Sequence, residues 1–204
     1  MTDYFDEAAA IWDNEKYRTE RAEAIAKKIT SMVPLTKSMK ALEFGSGTGL
    51  LGFNMIERVG ELTFGDTSQG MLDQVEKKIA AHQYGNAKTV NLASSSITSK
   101  YDLIFTSMVL HHIEDYEDTI VNLVRSLTPS GYLCLCDLDK ENGSFHRNEI
   151  VPHNGFERAT VETLLRDSGM QIVGSSTAFV NVKIIDNAKV DFPVFLIVAT
   201  KKCM

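Results

Sequence analysis

After residue 40 the sequence alternates between short apolar runs typical of β-strands and longer segments with helical periodicity. The strand-like runs are ALEF (41–44), LTFG (62–65), KTVNL (88–92), YDLIFTS (101–107) and YLCLCDL (132–138). The last two are almost continuously apolar, which is typical of strands buried on both faces of a parallel sheet. Strands that are separated by helices pair in parallel, so the sequence predicts an α/β fold with a doubly wound sheet.

Two of the intervening segments carry their apolar residues on one helical face. The first has Leu72, Val75 and Ile79 at helical spacing, and Ser68 precedes it as the predicted N-cap. The apolar residues of the second are Ile120, Leu123, Val124 and Leu127. Pro129 and Gly131 then turn the chain into the next strand.

Both ends of the chain depart from this alternation. Residues 3–33 have a helical pattern, and we expect residues 1–33 to form a helical cap or lid over the Rossmann-like core at 40–204. The tail has strand-like runs at about 170–185 and 192–200 with no helix between them, which predicts an antiparallel pair at one sheet edge. The sequence has no repeat or linker, so we expect one domain that spans all 204 residues.

The charge and composition argue against several classes of protein. A formal net charge of −6 opposes nonspecific binding to nucleic acid or to an anionic membrane. No apolar run reaches the roughly 18 residues of a membrane span, and the acidic N-terminus does not resemble a signal peptide. We therefore expect no nucleic-acid partner and no membrane insertion, and a monomer or homodimer. The three cysteines, Cys134, Cys136 and Cys203, are an odd number typical of a reduced, cytoplasmic protein.

A glycine-rich turn follows the first predicted strand. The stretch ALEFGSGTGL (41–50) has glycines at 45, 47 and 49, directly after Glu43. In open α/β sheets such a turn is a ligand site, because glycine lets the backbone approach a ligand closely. GTGLLG (47–52) also matches the dinucleotide pattern G-x-G-x-x-G, so an NAD(P)-dependent oxidoreductase is one interpretation.

Glu43 favours a different ligand. A pyrophosphate at this turn would lie near a carboxylate of like charge, whereas an ammonium or sulfonium group would be attracted. S-adenosylmethionine has both cationic groups and no phosphate. Asp66, at the end of the second strand, stands where a carboxylate can bind ribose hydroxyls.

Three motifs in this order resemble the class I S-adenosylmethionine-dependent methyltransferases. They are E-x-G-x-G-x-G at 43–49, the acid in GDTSQGML, and LIFTSMVLHHIED across and after the fourth strand. The chain is similar to the small-molecule branch, which includes the ubiquinone/menaquinone-biosynthesis enzymes. The resemblance implies a seven-stranded, mostly parallel sheet with an antiparallel edge strand, and methyl transfer (EC 2.1.1.-) to a small-molecule acceptor.

The resemblance also implies which residues bind S-adenosylmethionine. They are Glu43, Gly45, Ser46, Gly47, Asp66, Thr67, Met71, Ser94, Ser95 and Ser107. Glu43 would hold the amino group, Asp66 the ribose, and Thr67 and Met71 would flank the adenine. After the third strand the family often has an acid that accepts from the adenine amino group, but this chain reads VNLASSSITS. Asn91, Ser94 or Ser95 would have to substitute there, and Ser107 with Met108 would lie near the transferred methyl group.

Four side chains after the fourth and fifth strands are candidate proton acceptors or substrate anchors: His111, His112, Asp137 and His146. Adjacent histidines diverge on a helix, and the spacing of the His, Asp and Cys residues fits no standard zinc pattern, so the sequence predicts no metal site. The acceptor would enter between 107–115 and 137–146, beneath a lid from 1–20. A noncatalytic S-adenosylmethionine-binding module remains an alternative, since this chemistry needs no invariant catalytic residue. The segment TSMVLHHIED lacks the Asn/Asp-Pro-Pro-aromatic run of nucleic-acid methyltransferases.

Overall fold

A computed structural model of the chain describes residues 2–147 and 150–202. The helices of this part are α1 (Thr2–Ala8), α2 (Lys16–Met32), α3 (Leu50–Phe53), α4 (Gln69–His82), α5 (Tyr116–Arg125) and α6 (Arg158–Asp167). The strands are β1 (Lys40–Phe44), β2 (Glu61–Asp66), β3 (Ala87–Asn91), β4 (Tyr101–Ser107), β5 (Leu127–Leu138), β6 (Met170–Ile185) and β7 (Ala188–Lys201). Short 3-10 turns cover Ala9–Asn14, Ile56–Arg58 and Leu110–His112.

The seven strands form one sheet in the order β3-β2-β1-β4-β5-β7-β6. Strands β1 to β5 pair in parallel, whereas β7 is antiparallel to both of its neighbours. This confirms the predicted mostly parallel, Rossmann-like sheet with an antiparallel pair at one edge. Within that pair β7 is the reversed strand and β6 is outermost. The reason is composition: residues 194–199 of β7 are all buried, while β6 alternates between buried or half-buried and exposed positions.

Helices cover both faces of the sheet, so the molecule has two apolar cores. Helices α2, α3 and α4 pack on one face through side chains such as Ile25, Leu51 and Val75. Helices α5 and α6 pack on the other through Ile120 and Val161. The predicted amphipathic helices are therefore confirmed as the layers of an α/β sandwich.

A local signal in the sequence correctly marked the start of α4. Ser68 is the N-cap of α4, and its side chain accepts the Met71 N–H at 3.1 Å. The predicted apolar face of the second helix included Leu127, which was wrong. Helix α5 ends at Arg125, and Leu127 already belongs to β5. Pro129 lies inside β5 rather than before it.

The two cysteines of β5, Cys134 and Cys136, are buried and free. Cys203 lies outside the described residues. Within the described part of the chain, no helix is long and apolar enough to cross a membrane.

Candidate functional site

The carboxyl ends of β1, β2 and β4 border a cavity of about 420 Å³. This volume lies within the range of small-molecule sites, and the position is where open α/β sheets bind ligands. Its walls come from the β1–α3 turn, the β2–α4 junction, the segment after β4, and residues of the N-terminal helices.

Two backbone hydrogen bonds fix the glycine turn after β1 against β2. The N–H groups of Gly45 and Ser46 donate to the carbonyl of Gly65, at 2.8 and 2.9 Å. Gly45 has a φ of 68°, and a Cβ there would overlap the side chain of Val109. Gly47 has a φ of 52°, and a Cβ there would meet only Met71 Sδ, at 4.0 Å. The turn therefore presents bare backbone to the cavity, and Gly45, Ser46 and Gly47 all line it.

Glu43 is a buried carboxylate in the wall of the cavity. Its side chain is 3% exposed, and Oε2 accepts the Gly52 N–H at 3.1 Å. Burial raises the pKa of Glu43 well above its usual value, although the Gly52 hydrogen bond and the more distant Lys78 oppose that shift. A carboxylate in this position is stabilised as an ion by any cation that enters the cavity.

Gly52 leaves no room for a larger residue beside Glu43. A Cβ at this position would overlap both Glu43 Oε2 and the Phe64 ring. We expect Gly52→Ala to destabilise the protein by about 1–3 kcal/mol, as overpacked cores are. Thermal unfolding would show this as a fall of several degrees in Tm. Gly85→Ala is the matched control, because a Cβ there meets nothing within 4 Å. A Gly52→Ala protein as stable as the Gly85→Ala protein would contradict the expectation.

Asp66 joins the glycine turn to α4. One carboxylate oxygen accepts the Gly47 N–H at 2.7 Å and the other accepts the Ser68 N–H at 2.9 Å. Burial raises the pKa of Asp66, and these backbone bonds only partly offset the effect. Asp66, Thr67 and Met71 line the cavity together, so the structure brings the β2–α4 candidates next to the β1 turn.

The structure does not bring Ser94 and Ser95 to the cavity. Both lie on an exposed turn after β3, and the cavity wall is formed there by Leu92. Asn91 is engaged in the turn: its Oδ1 accepts the Ala93 N–H at 2.9 Å and its Nδ2 donates to Gln69 at 2.9 Å. The chain turns outward after β3 because these polar side chains are bonded locally instead of reaching the cavity.

The segment after β4 forms the far wall. Ser107 and Met108, which follow β4, both line the cavity. Met108 has a φ of 61°, a left-handed conformation that is uncommon for a residue with a side chain. Its N–H donates to the carbonyl of Cys136 at 2.9 Å, which ties this turn to β5.

The four candidate proton acceptors are brought into one cluster. His111 Nδ1 lies 2.6 Å from Asp137 Oδ1, and His146 Nε2 lies 3.1 Å from His111 Nε2. Asp137 also accepts the backbone N–H groups of His111 and Leu138, at 3.3 and 2.7 Å. Burial alone would raise the pKa of Asp137, but His111 and these hydrogen bonds lower it overall. Asp137 is therefore ionised, and it holds the proton of His111 on Nδ1.

His112 connects this cluster to the cavity. It lines the cavity, while its ring lies 4.1 Å from the His111 ring and 5.3 Å from the His146 ring, between centroids. Burial and the two neighbouring histidines lower the pKa of His112 to about 3. This imidazole is neutral at physiological pH, with a lone pair available.

Hydrogen bonds and an ion pair hold the N-terminal residues against the start and middle of α4, beside the cavity. Asp6 Oδ1 accepts the Ser68 hydroxyl at 2.6 Å and the Gly70 N–H at 2.7 Å. Asp13 pairs with Lys78 at 2.6 Å. Phe5 and Trp12 line the cavity beneath these contacts. The N-terminal segment therefore lies along one side of the cavity and contributes two aromatic side chains to its lining.

Two cationic residues of the site were missed from the sequence. Arg18 and Arg21 of α2 line the cavity. Arg18 stacks on Trp12 with its Cζ 3.5 Å from the ring centroid, and Arg21 donates to Asn181 Oδ1 at 3.1 Å. Arg18 and Arg21 lie four residues before Ala22 and Ile25, which belong to the buried apolar stripe of α2, so following that stripe backwards would have found them.

Comparison with known proteins finds similarity to methyltransferases over part of the chain. Residues 42–133 match a family model described as a methyltransferase domain. The chain is 30% identical over 148 residues to a hybrid polyketide synthase–nonribosomal peptide synthetase of Penicillium oxalicum, covering 68% of this chain and 4% of that protein. It is 25% identical over 173 residues to an uncharacterized methyltransferase of Schizosaccharomyces pombe, covering 74% of this chain and 60% of that protein. The chain thus spans less than two thirds of either relative.

A solved structure shares the fold over almost the whole chain. It is an S-adenosylmethionine-dependent methyltransferase from Aquifex aeolicus, with a TM-score of 0.68 and 18% identity, covering 96% of this chain and 97% of that one. At this identity the likeness shows the fold alone.

Proposed function

We propose that the chain transfers a methyl group from S-adenosylmethionine to a small-molecule acceptor, because residues 42–133 match a methyltransferase-domain family model and the chain shares the fold of a solved S-adenosylmethionine-dependent methyltransferase. The observation that carries the proposal is the buried position of the Glu43 carboxylate in the cavity wall. A buried carboxylate in the wall of a ligand cavity, next to a glycine turn, suits a cationic ligand and opposes a phosphate.

The residues around the cavity fit the proposed cofactor. Glu43 would hold the ammonium group, the bare backbone at Gly47 would admit the amino-acid part, and Asp66 would bind ribose hydroxyls. Arg18 and Arg21 add positive charge that suits the carboxylate of the amino-acid end. When bound, the cofactor supplies an activated methyl group on a sulfonium.

The protein's own contribution to such a reaction is chiefly positioning. The sulfonium leaving group is already good, so the rate depends on holding an acceptor in line behind the methyl carbon and excluding water. Ser107 and Met108 would border that part of the cavity, and Phe5 and Trp12 also line the cavity.

An acceptor that is protonated at neutral pH also needs a proton acceptor or an anchor. We propose that the cluster of His111, His112, Asp137 and His146 has this role. Its support is geometric: the neutral His112 ring lines the cavity, and the Asp137–His111–His146 chain lies directly behind it.

A small molecule is the acceptor that the site favours. The lid hydrogen bonds at Asp6 and Asp13 narrow access to the cavity, which disfavours an extended macromolecular substrate. Similarity to a polyketide synthase–nonribosomal peptide synthetase supports a small-molecule acceptor as well.

The buried free thiols of Cys134 and Cys136 support the proposal of a reducing, cytoplasmic location. We also propose that the chain acts as one domain.

Calorimetric titration with S-adenosylmethionine, S-adenosylhomocysteine and NADH tests the cofactor. We expect saturable binding of the two sulfur nucleotides and none of NADH. Asp66→Ala should weaken their binding by about 100-fold, the loss expected when charged hydrogen bonds to a ligand are removed. The matched control is Asp73→Ala, which removes an exposed carboxylate from α4, the helix that follows Asp66, and should leave the affinity unchanged.

The opposite pattern would change the assignment. Binding of NADH alone would mean that the GTGLLG stretch is a dinucleotide loop after all. Binding of S-adenosylmethionine without methyl transfer to any acceptor in a screen for S-adenosylhomocysteine release would indicate a noncatalytic binding module.

A further inference from the structure

Three histidines, His111, His112 and His146, bring their ring nitrogens together beside the cavity. One nitrogen from each lies within 4.8 Å of the other two. Adjacent histidines diverge on an α-helix, which is why the sequence predicted no metal site. The structure places His111 and His112 on a 3-10 turn instead, and the loop after β5 carries His146 to them. We propose that this three-histidine cluster binds a divalent transition-metal ion.

The distances suit an imidazole-bound ion. With metal–nitrogen bonds of about 2.0–2.1 Å and tetrahedral angles, ligand nitrogens lie roughly 3.3 Å apart. His111 Nε2 and His146 Nε2 are 3.1 Å apart, so they already have this spacing. A nitrogen of His112 lies within 4.8 Å of the other two, so this ring has to move closer to complete the triangle.

A second feature points to a ligand at the same place. Among the residues that the structure describes, His112 Nδ1 is one of four buried side-chain polar atoms with no hydrogen-bond partner. A buried polar group without a partner is costly, and metal ligation is one way to satisfy an imidazole lone pair. The other ring nitrogen of His111 is bonded to Asp137 at 2.6 Å, which is the carboxylate–histidine arrangement that orients metal-binding imidazoles.

The ligand set indicates the class of metal. Three imidazoles without a thiolate suit zinc, cobalt, nickel, copper or iron rather than magnesium or calcium. The negative charge of buried Asp137 offsets part of the charge of a divalent ion. Three protein ligands leave a fourth position open, as in catalytic zinc sites. Because His112 lines the cavity, the ion would adjoin the acceptor. Its role there, as an anchor for an acceptor oxygen, rests on the proposed function, whereas the binding of the ion does not.

The test is a titration of the metal-stripped full chain with Zn²⁺ and Co²⁺. We expect one ion per chain by calorimetry, and an intense visible d–d spectrum of the Co²⁺ complex, as a low-coordinate imidazole site gives. Asp137→Asn should weaken binding by about 10–100-fold, the usual cost of losing such a supporting carboxylate. His146→Ala should weaken binding more, because it removes a ligand. His82→Ala removes a histidine far from the cluster in sequence, on α4, and should bind the ion as the unaltered chain does.

Each outcome decides the proposal. The absence of saturable binding by the unaltered chain would overturn it, as would an affinity that is unchanged in His146→Ala or that falls equally in His82→Ala. If His146→Ala does not fold, the spectrum of the unaltered chain decides alone. The affinity for S-adenosylhomocysteine, measured separately, distinguishes failure of the metal site from failure of the proposed function.

Discussion

Replacing Glu43 with glutamine is expected to abolish most S-adenosylmethionine affinity and, at the same time, to stabilise the ligand-free protein. The side chain is 3% exposed, and burial raises its pKa well above the usual value of 4.5. A buried carboxylate without a cationic partner destabilises the fold, and glutamine removes the charge while it keeps an oxygen for the Gly52 N–H. The gain should be about 0.5–2 kcal/mol, typical of relieving a functional residue.

The sign of the pH dependence follows from the direction of the shift. The folded protein holds the Glu43 proton more tightly than the unfolded chain, so this group contributes a loss of stability as pH rises above about 4.5. Below that pH the group is neutral in both states and contributes nothing. The difference in Tm between Glu43→Gln and the unaltered protein should therefore be small in acid and should grow toward neutral pH.

Cofactor affinity should change in the opposite direction. Loss of a buried charge that faces the ligand's ammonium should weaken binding by about 100-fold or more. Thermal unfolding across pH and calorimetry at neutral pH measure the two effects. Glu57→Gln is the matched control, because Glu57 is exposed on the 3-10 turn Ile56–Arg58 and should change neither quantity. A Glu43→Gln protein that is less stable than the unaltered chain, or one that binds the cofactor normally, would contradict this assignment.

Sequence patterns predicted the parts of the molecule that are determined locally. Glu43, Gly45 and Asp66 stand at the ends of strands whose apolar runs are easily recognised, and parallel strands must bring those ends to one edge. The N-cap at Ser68 depends on neighbouring residues only, and it was predicted correctly. Arg18 was missed although its helical position was readable, because the apolar stripe was not followed back to its polar beginning.

Contacts between distant segments were harder to predict. The 2.6 Å contact between His111 and Asp137 joins residues 26 positions apart, and His146 reaches His111 from a loop 35 positions away. The hydrophobic periodicity of the sequence does not predict contacts between residues so far apart in the chain. Ser94 and Ser95 show the opposite problem: their side chains suit a polar ligand, but their turn lies on the surface. Residue type indicates what a side chain can do, and the tertiary path of the loop decides whether it is near the site.

The order of β6 and β7 shows where pattern and topology combine. Two late strands without a helix predict an antiparallel pair, but they do not say which strand pairs with β5. The structure pairs β5 with β7, in the register Cys134 with Val198. Of the two strands, β7 has the continuous apolar run that a position between two neighbours requires, whereas β6 exposes Val182 and Ile184 at the edge.

Replacing Asp137 with asparagine is expected to lower turnover by about 10²–10⁴-fold, the usual contribution of a positioned proton-transfer group. Asp137 fixes the His111 proton on Nδ1 and leaves Nε2 to face His146. Whether His111 accepts a proton or ligates a metal, it depends on this carboxylate for its orientation. An amide also places an N–H₂ group against a backbone N–H, so we expect a loss of stability of about 1–3 kcal/mol. Affinity for S-adenosylmethionine should change little, since Asp137 does not line the cavity.

The loss of stability in Asp137→Asn must be distinguished from its loss of turnover. Asp139→Asn is the control variant for this purpose. Asp139 follows Asp137 by two residues, and its carboxylate pairs with Arg158 through two contacts of 2.6 Å instead of with a histidine. This variant removes a partly exposed charge pair without touching the histidine cluster, so it should lose some stability but retain most of its turnover. The measurement is kcat for S-adenosylhomocysteine release, with an acceptor found by screening, alongside Tm and cofactor affinity for both variants. If Asp137→Asn loses no more turnover than Asp139→Asn, the histidine cluster supports the fold and takes no part in methyl transfer.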